Sequence, residues 1–216
     1  MVTVSTSAPI CWPAILLLAW LPKRGPHKAA APQAPVELNV GVLTVSDRAS
    51  AGTYPDVSGP TAQACLAAHS QRYPGAWRLR FVCSAIVPDE REQIEATLRQ
   101  WTDPTGAGAT AQTHCNLVLT TGGTGFSQRD VTPEATLAVV QKRAPGLSLA
   151  VLARSMAVQP LAMLSRGTAG VRCRDDGTGC ALVINLPGRP AAVRENVEIL
   201  APALGPAVAQ LTGQGS

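Results

Sequence analysis

The sequence predicts an α/β protein, a three-layer α/β/α sandwich on a mostly parallel sheet. Three observations lead there. Short runs that suit buried strands alternate along the chain with segments of helical periodicity. The runs VGVLTV and ALVINL and the stretch Leu117 to Thr120 are apolar almost throughout, as a sheet covered on both faces requires. The strands end at Ser46-Asp47, Pro88-Asp89, the Gly122-Gly123-Thr124-Gly125 turn and Pro187-Gly188, all polar or glycine-rich. Open parallel sheets bind ligands outside such carboxyl ends.

Composition bounds the rest. The chain has 216 residues, 46% of them hydrophobic and 15% charged, which suits one domain with a sizeable core plus an extension. The net charge is +4, but Lys23, Arg24 and Lys28 lie in an acid-free stretch over residues 1–35, so taking three from four leaves +1 for the remainder. With no basic stripe and no interleaved aromatics, a nucleic-acid partner is not expected. The apolar run Ile10 to Leu21 is interrupted by Pro13 and too short to span a bilayer, so no membrane partner is expected either. Residues 1–35 are set apart as a leader: a segment without fixed structure, an organellar targeting segment, or a misassigned start. The domain proper is expected over 36–216.

Val40 to Val45 reads as the first buried strand, followed by a loop rich in Ser, Gly and Asp and a helix over Thr61 to Arg72 closed by Tyr73-Pro74-Gly75. Trp77 to Val87 is a second strand. Glu90 to Trp101 is a helix with Ile94, Leu98 and Trp101 on one face. A Gly/Thr/Ala-rich surface loop spans Thr102 to His114. After the central strand, a helix is expected from Thr132 to about Arg143, and another over Leu147 to Val158. Leu161 to Arg172 and Ala181 to Leu186 look extended, and a last amphipathic helix runs from about Pro190 to Leu211. Of six cysteines, Cys65, Cys83 and Cys115 read as small buried hydrophobes. Cys173 and Cys180 flank a turn. They can pair there, but free thiols are the expectation.

The stretch NLVLTTGGTGFSQRDVTPEAT carries the strongest chemical signal. Gly122, Gly123 and Gly125 remove side chains from a turn between a strand and a helix, and Thr132-Pro133-Glu134 has the look of a helix start with a hydroxyl cap. Such a turn is either a tight connection or a phosphate cradle of free N–H groups at a helix N-terminus. The hydroxyls of Thr121, Thr124 and Ser127 and the neighbouring Arg129-Asp130 favour the second. Asp89 fits two roles, the N-cap of a capping box with Glu92 and a group at the strand end facing a ligand. Asp89 and Asp130 beside a phosphate loop suggest divalent-metal chemistry at a phosphoryl centre. Ser165-Arg166 is a further hydroxyl and guanidinium, and there is no Ser/His/Asp or Cys/His set.

The motifs VGVLTVSDRASAGTYPDVSGP, IVPDE, TTGGTGFSQRDVTPEAT, PGLSLAV, MLSRGTAGVR and LVINLPG, in that order, resemble those of the molybdopterin adenylyltransferases. These are the bacterial Mog proteins and the G domains of gephyrin and of the plant molybdenum-cofactor proteins. The resemblance covers the chain from about Val36 to the last helix. It implies an α/β/α homotrimer that transfers the adenylyl group of Mg-ATP to the terminal phosphate of molybdopterin, releasing pyrophosphate. It implies catalytic and Mg2+-holding roles for Asp89 and Asp130. Substrate binding falls to Ser46, Asp47, Thr121, Gly122, Gly123, Thr124, Gly125, Ser165, Arg166, Pro187 and Gly188. A separate molybdenum insertase is the implied partner, and the cytoplasm the implied location, or an organelle if the leader is a targeting segment. A non-catalytic pterin-binding or trimeric scaffold module is the alternative, and retention of both aspartates speaks against it. Three features depart from the family. Arg189 stands where Asn or Ser often follows PG, residues 172–180 look like an insertion, and the loop around Thr105 to Thr113 is long.

Overall fold

The computed structural model describes residues 35–75, 77–103, 114–174 and 179–213. The expected leader, apart from Pro35, lies outside the described residues, as do the long loop over 105–113 and residues 175–178 of the insertion.

In chain order the elements are β1 (Val36–Val45), α1 (Asp47–Ser50), α2 (Ser58–Arg72), β2 (Trp77–Val87), α3 (Arg91–Thr102), β3 (Leu117–Thr121), α4 (Thr132–Val139), β4 (Lys142–Arg143), α5 (Pro145–Val158), a 3₁₀ turn (Pro160–Leu164), β5 (Ala169–Cys173), β6 (Cys180–Leu186) and α6 (Pro190–Leu211). The strands form one sheet in the order β2-β1-β3-β6-β5-β4. The β2-β1-β3-β6 core is parallel, while β5 runs antiparallel to β6 and to β4. No described helix is long and apolar enough to cross a membrane.

The apolar strands are buried on both faces because helices cover both. On one side Leu38, Val40, Val42, Leu117, Leu119, Leu182 and Ile184 pack against α2 and α6 through Leu66, Val193, Val197, Leu200 and Leu204. On the other, Leu43, Val45, Val118 and Val183 pack against α3 and α4 through Ile94, Leu98, Ala135 and Val139. This is the expected three-layer sandwich. Burying each such side chain contributes about 1.5–3 kcal/mol.

Three expectations are corrected. First, α4 stops at Val139. Gln141 then binds β5 instead, its backbone N–H donating to Val171 O and its side-chain amide donating to and accepting from the Cys173 backbone. Lys142–Arg143 thus become an edge strand. Second, Leu161 to Arg172 is not extended throughout: Pro160–Leu164 coils into a 3₁₀ turn before β5 begins at Ala169. Third, Cys173 and Cys180 form a disulfide, because antiparallel pairing of β5 with β6 sets them opposite each other, 4.0 Å apart at Cα. Among the other described cysteines, Cys115 is buried as expected, but Cys65 and Cys83 are only half-buried; Cys11 lies outside the described residues. Burial and the neighbouring Cys83 push the Cys115 thiol well above its ordinary range.

Packing is tight at the middle of β1. A Cβ on Gly41 would sit 2.7 Å from the Trp101 ring and 2.9 Å from Cys115 Sγ. Cys115 is fully buried, with little room to retreat inside a close-packed layer. Gly41→Ala is therefore expected to destabilise the fold by about 1–3 kcal/mol, read as a lower denaturant midpoint at an unchanged slope. An unchanged midpoint would mean that the α3 face of the sheet is looser than described.

Candidate functional site

β3 leaves the sheet between β1 and β6 and turns at once. Gly122 and Gly123 adopt φ of 96° and 61°, the left-handed region in which L side chains are strained. Space demands glycine as strongly. A Cβ on Gly122 would run into the Val45 carbonyl oxygen, one on Gly123 would lie 2.9 Å from Asp89 Oδ1, and one on Gly125 would lie 2.7 Å from Asp130 Oδ2. The turn is pinned by Gly122 N–H donating to Leu186 O (3.2 Å), Thr132 N–H to Gly123 O (3.1 Å) and the Thr121 hydroxyl to Pro187 O (3.0 Å). Thr121 is therefore a buried tie between two strand ends, with its hydroxyl already engaged. Thr132 is the first residue of α4 rather than its cap. The backbone N–H groups of Gly123, Thr124 and Gly125 meet no acceptor among the described residues. That leaves a short row of donors in a glycine turn.

The acids gather around this turn. Asp89 does not cap α3, whose N-cap is Glu90 without a side-chain bond, so the capping-box reading fails. Asp89 and Asp47 instead hold each other across two strand ends. Asp47 N–H donates to Asp89 Oδ2 (2.8 Å), and Asp89 N–H donates to Asp47 Oδ1 (3.0 Å). The Arg129 guanidinium grips Asp47 through both carboxylate oxygens, at 3.0 and 2.9 Å, and reaches Glu90 at 2.8 Å. These bonds hold Asp47 below the usual carboxylate range and Arg129 above its own. Asp89 is shifted the other way: burial raises it, and the charges of Asp47 and Asp130 add to the rise. Asp130 Oδ2 accepts from Ser127 N–H at 3.3 Å. Ser46 caps α1 through its hydroxyl.

Two clefts meet at the turn. A polar one of about 680 Å³ is lined by Ser46, Asp47, Asp56, Asp89, Asp130 and the glycine turn. A second, of about 590 Å³, is walled by Leu147, Val151, Leu152 and Leu164, with Ser165, Arg166, Asn185 and Pro187 among its other walls. Thr124, Gly125, Gly188 and Arg189 line both. Of the sequence-predicted residues, Ser165 and Arg166 thus lie in one lobe, and Ser46, Asp47, Asp89 and Asp130 in the other. Arg166 is a clamp: it donates to Gly125 O (2.8 Å) and Asp130 O (2.6 Å), pairs with Glu134, and its backbone N–H reaches Thr124 O. Its fork is spent on positioning the loop that carries Asp130.

The residues fit a divalent cation. Asp89 and Asp130 present carboxylate oxygens from two sides of the turn, into space that a Cβ at Gly123 or Gly125 would fill. No cluster of three or more such ligands occurs among the described residues. Mg2+ needs only one or two carboxylates, completing its shell with phosphate oxygens and water.

Asp56 matters more than its turn-like sequence context suggests. Its carboxylate accepts from Thr44 Oγ1 (2.7 Å), Ser58 Oγ (3.1 Å) and Gly59 N–H (3.0 Å), tying β1 to the start of α2 beneath the polar cleft. The Asp-x-Ser-Gly spacing before a helix is the available signal. The Arg129–Asp47 pair, 82 residues apart in sequence, has none.

A family model described as a probable molybdopterin binding domain matches residues 41–206. The molybdopterin adenylyltransferase of Helicobacter pylori (strain ATCC 700392 / 26695) is 41% identical over 167 residues, 77% of this chain and 84% of that one. That of Escherichia coli (strain K12) is 37% identical over 161 residues, 74% and 72% of the two chains. Gephyrin of Dictyostelium discoideum is 41% identical over 171 residues, 78% of this chain but 22% of its own length. Among solved structures, the molybdopterin biosynthesis enzyme MoaB of Thermus thermophilus superposes with a TM-score of 0.67 at 36% identity, covering 82% of this chain and 97% of that one. With the fold, the glycine turn and a model match over most of its length in agreement, the chain belongs to the molybdopterin-binding domain family.

Proposed function

We propose that this protein is a molybdopterin adenylyltransferase, moving the adenylyl group of ATP onto the terminal phosphate of molybdopterin. The observation that carries the reading is the pair of clefts, one acid-lined and one largely apolar, joined across Thr124-Gly125 and Gly188-Arg189. The similarity to relatives named for this reaction supports it.

In this reading the nucleotide enters the polar cleft. Asp47, Asp56, Asp89 and Asp130 would repel bare phosphates, so the nucleotide arrives with its cation. Magnesium, when bound, neutralises phosphate charge and stabilises the leaving pyrophosphate. Asp89 and Asp130 would hold that ion. The pterin takes the apolar cleft, with the exposed Ser165 hydroxyl at its polar end. Its phosphate reaches the shared rim, where one oxygen attacks the α-phosphorus. The new P–O bond forms as the bond to the α,β-bridging oxygen breaks, and pyrophosphate departs with the electron pair. The N–H groups of Gly123, Thr124 and Gly125 face the phosphoryl group as its negative charge spreads. Arg166 and Arg129 keep the two acid-bearing loops still, which is what a reaction run on positioning and electrostatics needs.

The assembly is a homotrimer in the same reading, and a separate molybdenum insertase consumes the adenylated product. An apolar surface on α5 and the 3₁₀ turn supports self-association. Met156, Val158 and Met163 are exposed there outside the cleft lining, Val158 by 75%.

Pyrophosphate release is expected only when molybdopterin and Mg-ATP are both present, and is expected to vanish in Asp130→Asn. Tight molybdopterin binding without pyrophosphate would replace the enzyme by a pterin-binding module. Because burial raises Asp89, its ionisation opposes folding; the stability its protonated form contributes is lost as pH rises through its folded value. Asp89→Asn is therefore expected to melt no lower than wild type at neutral pH while pyrophosphate release falls by at least about 10²-fold. Cation affinity should weaken on acidification, because a protonated Asp89 does not hold a cation. Val158→Asp is expected to shift the sedimenting species from trimer to monomer; a wild-type chain that sediments as a monomer would end the trimer reading.

A further inference from the structure

Arg189 stands where the two clefts meet, and its backbone is tightly held. Gly188, just before it, packs so closely that a Cβ there would lie 3.3 Å from Gly122 Cα. The Thr121 hydroxyl fixes Pro187 O, and Arg189 O accepts a first-turn N–H of α6, from Val193 at 2.9 Å. The side chain is exposed and makes no hydrogen bond, ion pair or ring contact among the described residues. Of the other cations near the rim, Arg129 is committed to Asp47 and Glu90, Arg166 to Glu134 and two loop carbonyls, and Arg48 to the face of Tyr54 at 5.0 Å; Arg143 lines the apolar cleft but does not reach the polar one. Among the described residues, Arg189 is the one cation that lines both clefts.

Charge makes that placement meaningful. A phosphate monoester moving from the apolar cleft toward Asp89 and Asp130 meets like charge, and the counter-charge must come from the rim. A guanidinium offers two parallel N–H donors to two phosphate oxygens, which orients the third. We propose, resting on the adenylyltransferase reading, that Arg189 binds the attacking phosphate monoester of the pterin and holds it over Thr124-Gly125, one oxygen turned toward the α-phosphorus. The cation standing after Pro187-Gly188 would then be a substrate-reading residue of this chain.

The test measures binding without nucleotide. Molybdopterin and its dephosphorylated form are titrated anaerobically into the full chain, wild type, Arg189→Ala and Arg189→Lys, at low and high salt. Wild type should prefer the phosphorylated form, more strongly at low salt. Arg189→Ala should bind molybdopterin about 10–100-fold more weakly and the dephosphorylated form unchanged, and Arg189→Lys should recover part of the loss. In turnover, the KM for molybdopterin should rise and that for Mg-ATP stay put. Because the exposed side chain makes no bonds, the melting temperature of Arg189→Ala should match wild type. Equal loss of both pterins, wild-type affinity in Arg189→Ala, or no phosphate preference in wild type would each overturn the assignment. Absent pyrophosphate release with the Arg189-dependent preference intact would instead sink the adenylyltransferase reading and leave the phosphate site standing.

Discussion

The exit of β3 is the constraint on which the rest of the structure depends. The strand lies between β1 and β6, hydrogen-bonded on both sides, so the chain leaving it has no lateral freedom. It must turn under the Val45 carbonyl, where only a residue without Cβ fits, and with a left-handed backbone at two successive positions. Once that turn is made, everything around it follows. Gly123 faces Asp89, Gly125 faces Asp130, Gly188 lies against Gly122, and Thr124 becomes the ridge between two clefts. A single methyl group at Gly122 or Gly123 would displace all of these together.

A second layer of organisation is the disposal of charge. The site concentrates Asp47, Asp56, Asp89 and Asp130, and isolated carboxylates crowded together oppose the fold. Here the burden is divided. Asp56 is satisfied by two hydroxyls and a helix N–H, and Asp47 by a bidentate guanidinium. Asp89 and Asp130 keep oxygens directed into the cleft, and Asp89 carries the consequence as a raised affinity for protons. The two arginines engaged at the site, Arg129 and Arg166, bind protein groups, and their work is to fix loops. Such a division separates acids held by protein partners from acids open to the cleft, with no difference in residue type.

Local signals suffice for some elements and mislead at others. β1, β3 and β6 are legible because a strand buried on both faces must be apolar throughout, and α6 because its start carries proline and its periodicity persists along the whole helix. The glycine turn is legible because Gly122, Gly123 and Gly125 crowded into one short stretch have few other uses. Sequence pattern carries α4 too far because Val140 to Arg143 holds no breaker; what ends the helix is the bonding of Gln141 to β5. Asp89 looks like a cap because a capping box is a pattern within four residues, whereas its actual partner, Asp47, is 42 residues away. Arg166 looks like a ligand residue, and its clamp on Gly125, Asp130 and Glu134 depends on two loops meeting.

The sequence by itself determined the fold class, the strand ends at which chemistry gathers, and the identity of Asp89 and Asp130 as the acids beside a glycine turn, since each rests on hydrophobic period or residue type over a short span. Tertiary structure alone decided which of those groups are free to meet a ligand. Whether Thr121, Asp47, Arg129, Arg166 or Arg189 faces a partner of its own or an open cleft depends on contacts between segments remote in sequence. No local pattern encodes the distance between two such groups.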